Sequence, residues 1–319
     1  MSEQLDAAME RLAEGVANLR GSAGWKAWLD VAATMPNYSL NNQILIMMQK
    51  PDASMVAGFN RWKELGRHVT KGQTSIRILA PCTRKVDVLN PDHSVKKDPI
   101  TGKSVTATQV VGFRAVPVFD VSQTDGEPIP EMPRPTLLEG QAPEGLWDAL
   151  AEQVQDAGFE LSRAENAMTL GGANGVTDYA SRSVRVRADV SDAQADKTLA
   201  HELGHVLLHD PDGASWKVQC RGEKEVEAES VAYLIASHAG LDTAEYTFGY
   251  VAGWATDTDD NVLVKVADRI RTTAIAVIGK LEETMLSTEE PPALGLKWRT
   301  VEPVASVVEK ATETSALAI

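Results

Sequence analysis

The stretch His201-Glu202-Leu203-Gly204-His205 sets two imidazoles four residues apart, with a carboxylate beside the first. On an α-helix, residues i and i+4 lie on one face, so both rings can reach one small cation. Glu202 then stays close enough to take a proton from a water held there. This is the HExxH arrangement of a zinc site that carries its own general base, a chemistry suited to attack on a carbonyl.

A tetrahedral catalytic zinc needs a third protein ligand and one open position. The acidic run that follows, with Glu223, Glu225, Glu227 and Glu229, supplies candidates. Glu225 and Glu229 are i, i+4 and share a face with the small Ala232. We expect Glu225 as the third ligand and Glu229 as the acceptor that orients a histidine N–H, with Glu227 pointing outward. A metzincin-type extension would need glycine at 208 and histidine at 211, where the chain has Leu208 and Pro211. His209 lies about 80° round the helix from His201 and reads as a polar helix-end residue. His238, at the far end of the next helix, reads as structural.

These side chains need two helices to hold them. Ser191-Asp192-Ala193-Gln194 has the form of a capping box, opening a helix through Ala195, Leu199, Leu203, Val206 and Leu207. Asp210-Pro211-Asp212-Gly213 ends it. The acidic run begins a second helix, closed at Ala239-Gly240.

Elsewhere, Leu5, Met9, Leu12, Val16 and Leu19 predict one helix over 3–34, followed by helices at 40–48 and 58–66. Strands are expected at 75–80 and 110–119, joined by a polar hairpin loop over 90–106. The proline-rich stretch from Asp125 to Pro135 reads as a linker. Beyond it come a helix at 144–157, strands at 167–170 and 183–186, the two metal helices, and a last helix at 261–281. The fold class expected is α+β in two domains: a mixed helix and sheet domain over 1–124, a linker over 125–143 and a metallopeptidase domain over 144–286. A Ser/Thr/Glu/Ala-rich tail over 287–319 is expected to be disordered.

Two cysteines, Cys82 and Cys220, form no CxxC pattern, and no apolar run approaches a membrane span. A cytoplasmic setting is expected. The net charge of −14 argues at first against nucleic acid, but its distribution does not. Residues 50–114 hold 12 Lys/Arg against 5 Asp/Glu, while the rest of the chain holds 19 against 40. Arg61, Lys63, Arg67, Lys71 and Arg77, with Arg84 and Lys85, interleave with Tyr38, Phe59, Trp62 and Phe113. Single-strand binding uses such a basic track with aromatic platforms. Phe59 and Trp62, at i, i+3, read first as core, which leaves the basic residues as the better contacts.

Three stretches, Tyr38-Ser39-Leu40-Asn41-Asn42-Gln43, the run from Gly58 to Gln73 and the run from Val118 to Thr124, resemble the N-terminal single-stranded-DNA-binding domain of ArdC-type antirestriction proteins. The segment around His201, the Glu225 helix and Tyr250-Val251-Ala252-Gly253-Trp254 resemble the zincin-type metallopeptidase domain of the same proteins, related to the ImmA/IrrE group. The resemblance implies metal ligation by His201, His205 and Glu225, with Glu202 as catalytic acid/base; the choice of Glu225 over Glu227 rests partly on it. It also implies a plasmid, phage or other mobile element, and a protein that shields incoming DNA from restriction or cleaves a regulator. Two other readings stand beside the peptidase: protection of DNA by occlusion with a structural zinc, and a regulatory protease whose basic domain recognises an acidic protein.

Overall fold

The computed structural model describes residues 3–286, apart from 89, 91–93, 98, 100, 130–139, 213–220, 245, 247 and 256–257. The expected tail over 287–319 and the middle of the expected linker lie outside the described residues.

Where one helix was expected over 3–34, there are two, α1 (Glu3–Asn18) and α2 (Ser22–Thr34). The break has a packing reason. Both helices pack on α3 (Leu40–Gln49), but α1, with Ala8, Leu12 and Val16 buried, also lies against the neighbouring sheet, whereas α2 also packs on two helices of the C-terminal half. One straight helix cannot face both.

The N-terminal sheet holds β1 (Val56–Ala57), β3 (Ile76–Asp87) and β4 (Thr106–Asp120) in the order β1-β4-β3; α4 (Phe59–Glu64) and β2 (Arg67–Val69) lie between, and β2 pairs with β5 (Thr124–Gly126). β3 and β4 form a long hairpin, paired from Ile76↔Val118 to Asp87↔Thr106 with an irregularity between Cys82 and Thr83. At its base Ile76, Ile78 and Val118 are buried; farther out Val111 and Phe113 are exposed.

β3 is an edge strand, and α3 covers it. The Asn42 carboxamide donates to the Leu79 carbonyl and accepts from the Leu79 N–H; Gln49 does the same for Arg77. Two side chains seven residues apart on a helix thus stand in for a neighbouring strand, satisfying groups that would otherwise recruit one. Tyr38 donates to the Val56 carbonyl, and Gln43 bridges the Trp28 indole and the Met35 carbonyl. In the Tyr-Ser-Leu-Asn-Asn-Gln motif, Tyr38, Asn42 and Gln43 build the fold.

The C-terminal half contains α5 (Leu146–Asp156), β6 (Glu160–Ala164), β7 (Gly175–Asp178), β8 (Ser183–Arg187), α6 (Asp192–His209), α7 (Arg221–His238), α8 (Gly249–Ala255) and α9 (Asp260–Leu286). Its sheet runs β6-β8-β7, with β6 parallel and β7 antiparallel to β8, so β7 is an edge lying beside α6. The expected strand at Ala167–Leu170 is instead a short 3-10 helix, because the Asn166 side chain accepts from Met168 N–H and Thr169 N–H and caps a turn. Ser191 caps α6 by accepting from Gln194 N–H, but only half of the capping box forms: Gln194 turns its side chain to Thr198.

The two halves share one core. Trp25 packs edge-on against Trp28 and Trp254 and donates to Ser230 of α7 across a buried contact of 2.9 Å. Asp30 and Lys26 of α2 both meet the Tyr233 hydroxyl, and Ser22 donates to the Phe248 carbonyl. Burial of the tryptophans dominates this docking: losing such a side chain costs about 3–5 kcal/mol. The exposed Arg20–Asp260 ion pair at the same seam is worth about 0–1 kcal/mol.

Asp196, on α6, is 3% exposed, and burial with Asp192 nearby pushes its carboxyl up to about 7 from an ordinary 3.8. Between those values the folded chain keeps a proton that the unfolded chain releases, so stability falls as pH rises from 4 through 7. Each unit of offset is worth about 1.4 kcal/mol, which makes the fall on the order of 3 kcal/mol. Asp196→Asn is expected to remove it: in urea unfolding at pH 4.5 and 7.5, the variant's advantage over wild type should grow with pH. An advantage that does not change with pH would refute the assignment.

Candidate metal centre

α6 and α7 meet at small residues. A Cβ on Gly204 of α6 would lie 3.0 Å from the Ala228 Cα of α7, tight enough that a larger residue would have to push the two backbones slightly apart. At that distance Glu225 on α7 reaches across to the histidines of α6. His201 Nε2 and His205 Nε2 are 3.1 Å apart, and Glu225 Oε2 is 3.7 Å from the first and 3.9 Å from the second. Among the described residues these three form the one group of His, Cys, Asp or Glu side chains able to hold a metal ion together. Zinc takes imidazole at about 2.0–2.1 Å and carboxylate at about 2.0–2.2 Å, and a triangle of these dimensions accommodates such an ion.

Glu229 Oε2 lies 3.0 Å from His201 Nδ1, in reach to accept the N–H that orients the ring. Burial disfavours a charge on His201, but the Glu229 hydrogen bond and the Glu202, Glu229 and Glu225 carboxylates outweigh it and raise the ring's pKa. His205 is driven well below the usual range by burial and by the neighbouring His201 and His209.

Glu202 is 5% exposed and is pinned through Oε2 by the Thr177 hydroxyl of β7, 2.6 Å away. Burial raises its carboxyl pKa against the opposing Thr177 bond and His201. β7 passes the carboxylate at Gly175, where a Cβ would come within 2.6 Å of Glu202 Oε1. The Tyr179 hydroxyl holds the His205 carbonyl from the same strand end. A cleft of about 890 Å³ opens here, with Thr177, His201, Glu202, His205, Glu225 and Tyr246 among its walls.

One expectation is overturned. Glu227 does not point outward: it is fully buried, because a residue two positions from Glu225 faces away from the cleft, into α9, where Arg269 meets it. His209 is, as expected, the polar residue that ends α6, but it is fully buried, with Nδ1 2.9 Å from His205 Nδ1 and Nε2 2.9 Å from Glu227 Oε2. The signal that reveals it is its i, i+4 spacing from His205 rather than its angle from His201. His238 pairs with Glu282 of α9, away from the cleft.

The basic residues of the N-terminal half divide. Lys63 and Lys71 are exposed, and Arg61 is exposed in an ion pair with Glu64. Arg77 is partly exposed on β3. Arg67 turns into the fold, its guanidinium donating to Thr124, Gly126 and Glu127, where it ties β2 to β5 and the residue that follows. Of the aromatics, Trp62 is core and donates to the Phe119 carbonyl, whereas Phe59 and Phe113 are 55% and 51% exposed.

Residues 1–119 match the N-terminal domain of anti-restriction factor ArdC, and residues 165–274 match the IrrE N-terminal-like peptidase domain. The chain joins an ArdC-type domain to an IrrE-like peptidase domain. An uncharacterized protein of Bacillus anthracis is 25% identical over 252 residues, 72% of this chain and 42% of that protein. The chain therefore spans less than half of that relative's length. Two crystal structures of the antirestriction ArdC protein from plasmid R388 share the fold, each with a TM-score of 0.51. The metal-free one is 20% identical, covering 77% of this chain and 86% of its own; the Mn(II)-bound one is 16% identical, covering 88% and 98%. The metal triangle described above lies within the IrrE-like domain, and the basic and aromatic residues lie within the ArdC-type domain. Among the described residues no helix is long and apolar enough to cross a membrane.

Proposed function

We propose that the chain is a zinc-dependent peptidase whose N-terminal domain binds single-stranded DNA, serving antirestriction on mobile DNA in the cytoplasm. The observation that carries the enzymatic part is the convergence of His201, His205 and Glu225 on one point, beside a Glu202 that Thr177 pins through one oxygen. Two imidazoles and one carboxylate are the donor set of catalytic zinc hydrolases, and manganese prefers sites richer in oxygen.

His201, His205 and Glu225 would hold the ion. When bound, it supplies Lewis acidity to an attacking water and to the substrate carbonyl. Glu202 Oε1, the oxygen not engaged by Thr177, takes the water's proton and delivers it to the departing amine nitrogen. Glu229 and Tyr179 hold the rest in place, the first through His201 and the second through the His205 carbonyl. β7, as an edge strand on the cleft wall, has backbone groups available to an extended peptide.

For the DNA part, Lys63, Lys71, Arg61 and Arg77 supply phosphate contacts, and the exposed rings of Phe59 and Phe113 supply stacking surfaces. Arg67 is left out by its bonds within the fold. Affinity carried this way weakens steeply with salt.

Elemental analysis of the purified full chain is expected to find about one zinc ion per molecule, consistent with a site of three protein ligands and one open position. Glu225→Ala should lose it while the far-ultraviolet circular dichroism stays unchanged. Zinc retained by that variant would remove Glu225 from the ligand set, and no metal in the wild type would refute the peptidase reading.

A further inference from the structure

We infer that His209 is the positioning residue for His205, holding it in the tautomer that presents Nε2 to a metal, with Glu227 and Arg269 fixing His209 from behind. The inference rests on the metal reading above, and its argument starts from the far end of the chain of contacts.

Glu227 is fully buried, and its Oε1 receives the Arg269 guanidinium at 2.9 Å from Nε. A carboxylate so paired only accepts hydrogen bonds. His209 Nε2, 2.9 Å from Glu227 Oε2, must therefore carry the N–H. A neutral imidazole with hydrogen on Nε2 has its lone pair on Nδ1. That Nδ1 lies 2.9 Å from His205 Nδ1, so His205 donates there. The lone pair left to His205 is on Nε2, the atom 3.1 Å from His201 Nε2 and 3.9 Å from Glu225 Oε2.

The two histidine ligands thus reach the same state by different partners: His201 gives its Nδ1 hydrogen to a carboxylate, Glu229, and His205 gives its own to an imidazole. Both nitrogens of His209 are engaged, which excludes it as a fourth ligand and leaves an open position for water. The contacts run from α6 through α7 to α9, so a helix far from the motif in sequence helps aim a ring at the metal.

Nitrogen-15 spectra of the imidazoles in the metal-free full chain, with His205 assigned by its loss in His205→Gln, are expected to show His205 protonated on Nδ1. His209→Leu should lose that preference and weaken zinc binding 10–100-fold in competition with a chromophoric chelator, whereas His209→Gln, whose amide oxygen still accepts, should stay within about threefold of wild type. A group that merely fills space would change the melting temperature and leave tautomer and affinity alone. His205 protonated on Nε2 in the wild type would overturn the inference, as would wild-type zinc affinity in folded His209→Leu. Should the leucine variant not fold, the wild-type spectrum decides. Failure of the metal reading is separately visible, as a wild type that binds no zinc or a Glu225→Ala variant that binds it undiminished.

Discussion

The Glu202→Gln variant is expected to keep its metal and to lose turnover by roughly 10²–10⁴-fold, the contribution typical of a positioned general acid or base. The carboxamide has nearly the shape of the carboxylate, and it can still accept the Thr177 hydroxyl that holds Oε2 at 2.6 Å. Gly175 leaves the same narrow space above it. What disappears is the ability to take a proton, and none of the three ligand atoms is touched. The measurement is cleavage of a mixed peptide library by the full chain, read by mass spectrometry at matched zinc content. Equal cleavage by wild type and variant would end the assigned role of Glu202. Loss of metal along with turnover would instead make Glu202 a part of the site's architecture. The same variant separates hydrolysis from occlusion: DNA protection undiminished in Glu202→Gln would mean that hydrolysis is not required for it.

Glu227→Ala should be the most destabilising of the substitutions considered, by about 3–5 kcal/mol, the usual cost of removing one partner from a buried ion pair. A small domain has only about 5–15 kcal/mol in all, so the loss is a large share of the total. The carboxylate has no exposure, His209 has none, and the Arg269 side chain has 17%. Alanine leaves a guanidinium and an imidazole N–H without their acceptor in a space too enclosed to hydrate freely. Glu227→Gln keeps the volume and an acceptor oxygen and should cost less. Urea unfolding of the three proteins at pH 7 gives the comparison. A loss under about 1 kcal/mol for alanine would show that Arg269 finds another acceptor, such as Glu223, 3.6 Å away, and that the pair is not what holds the helices.

The α+β two-domain architecture was legible because its strongest signals are periodic. The spacing of His201 and His205 foretold that a helix brings the two rings together, Ser191 located the start of α6, and α5 and α9 followed their apolar stripes. Glu225 and Glu229 were readable as an i, i+4 pair because a helix makes that spacing a shared face. The residues that escaped act across elements. Thr177 sits on a four-residue edge strand with little apolar alternation, 25 residues from the carboxylate it holds. Glu227 looked like surface because charge runs on helices usually are, and its burial is made tolerable by partners the run does not reveal, Arg269 on a distant helix and His209 at the end of α6. β6 reads Glu-Leu-Ser-Arg-Ala, too polar to announce itself as a strand. The α1–α2 break was hidden because the apolar period runs on: both helices pack on α3, and only their second partners differ, the sheet for α1 and α7 with α8 for α2.

The two matched segments, 1–119 and 165–274, look like freely exchangeable parts, yet the packing around Trp25 belongs to both. Its indole comes from the first segment, and Ser230 and Trp254 come from the second. A chimera that kept one segment and replaced the other would inherit half of a lock: a donor without its hydroxyl, or a hydroxyl facing a gap that an aromatic ring once closed. The helix carrying Ser230 also carries Glu225 and Glu229. Any recombinant pairing therefore has to match the seam before it can keep Glu225 opposite the histidines of α6, and this ties the evolutionary fortunes of the two matched segments together.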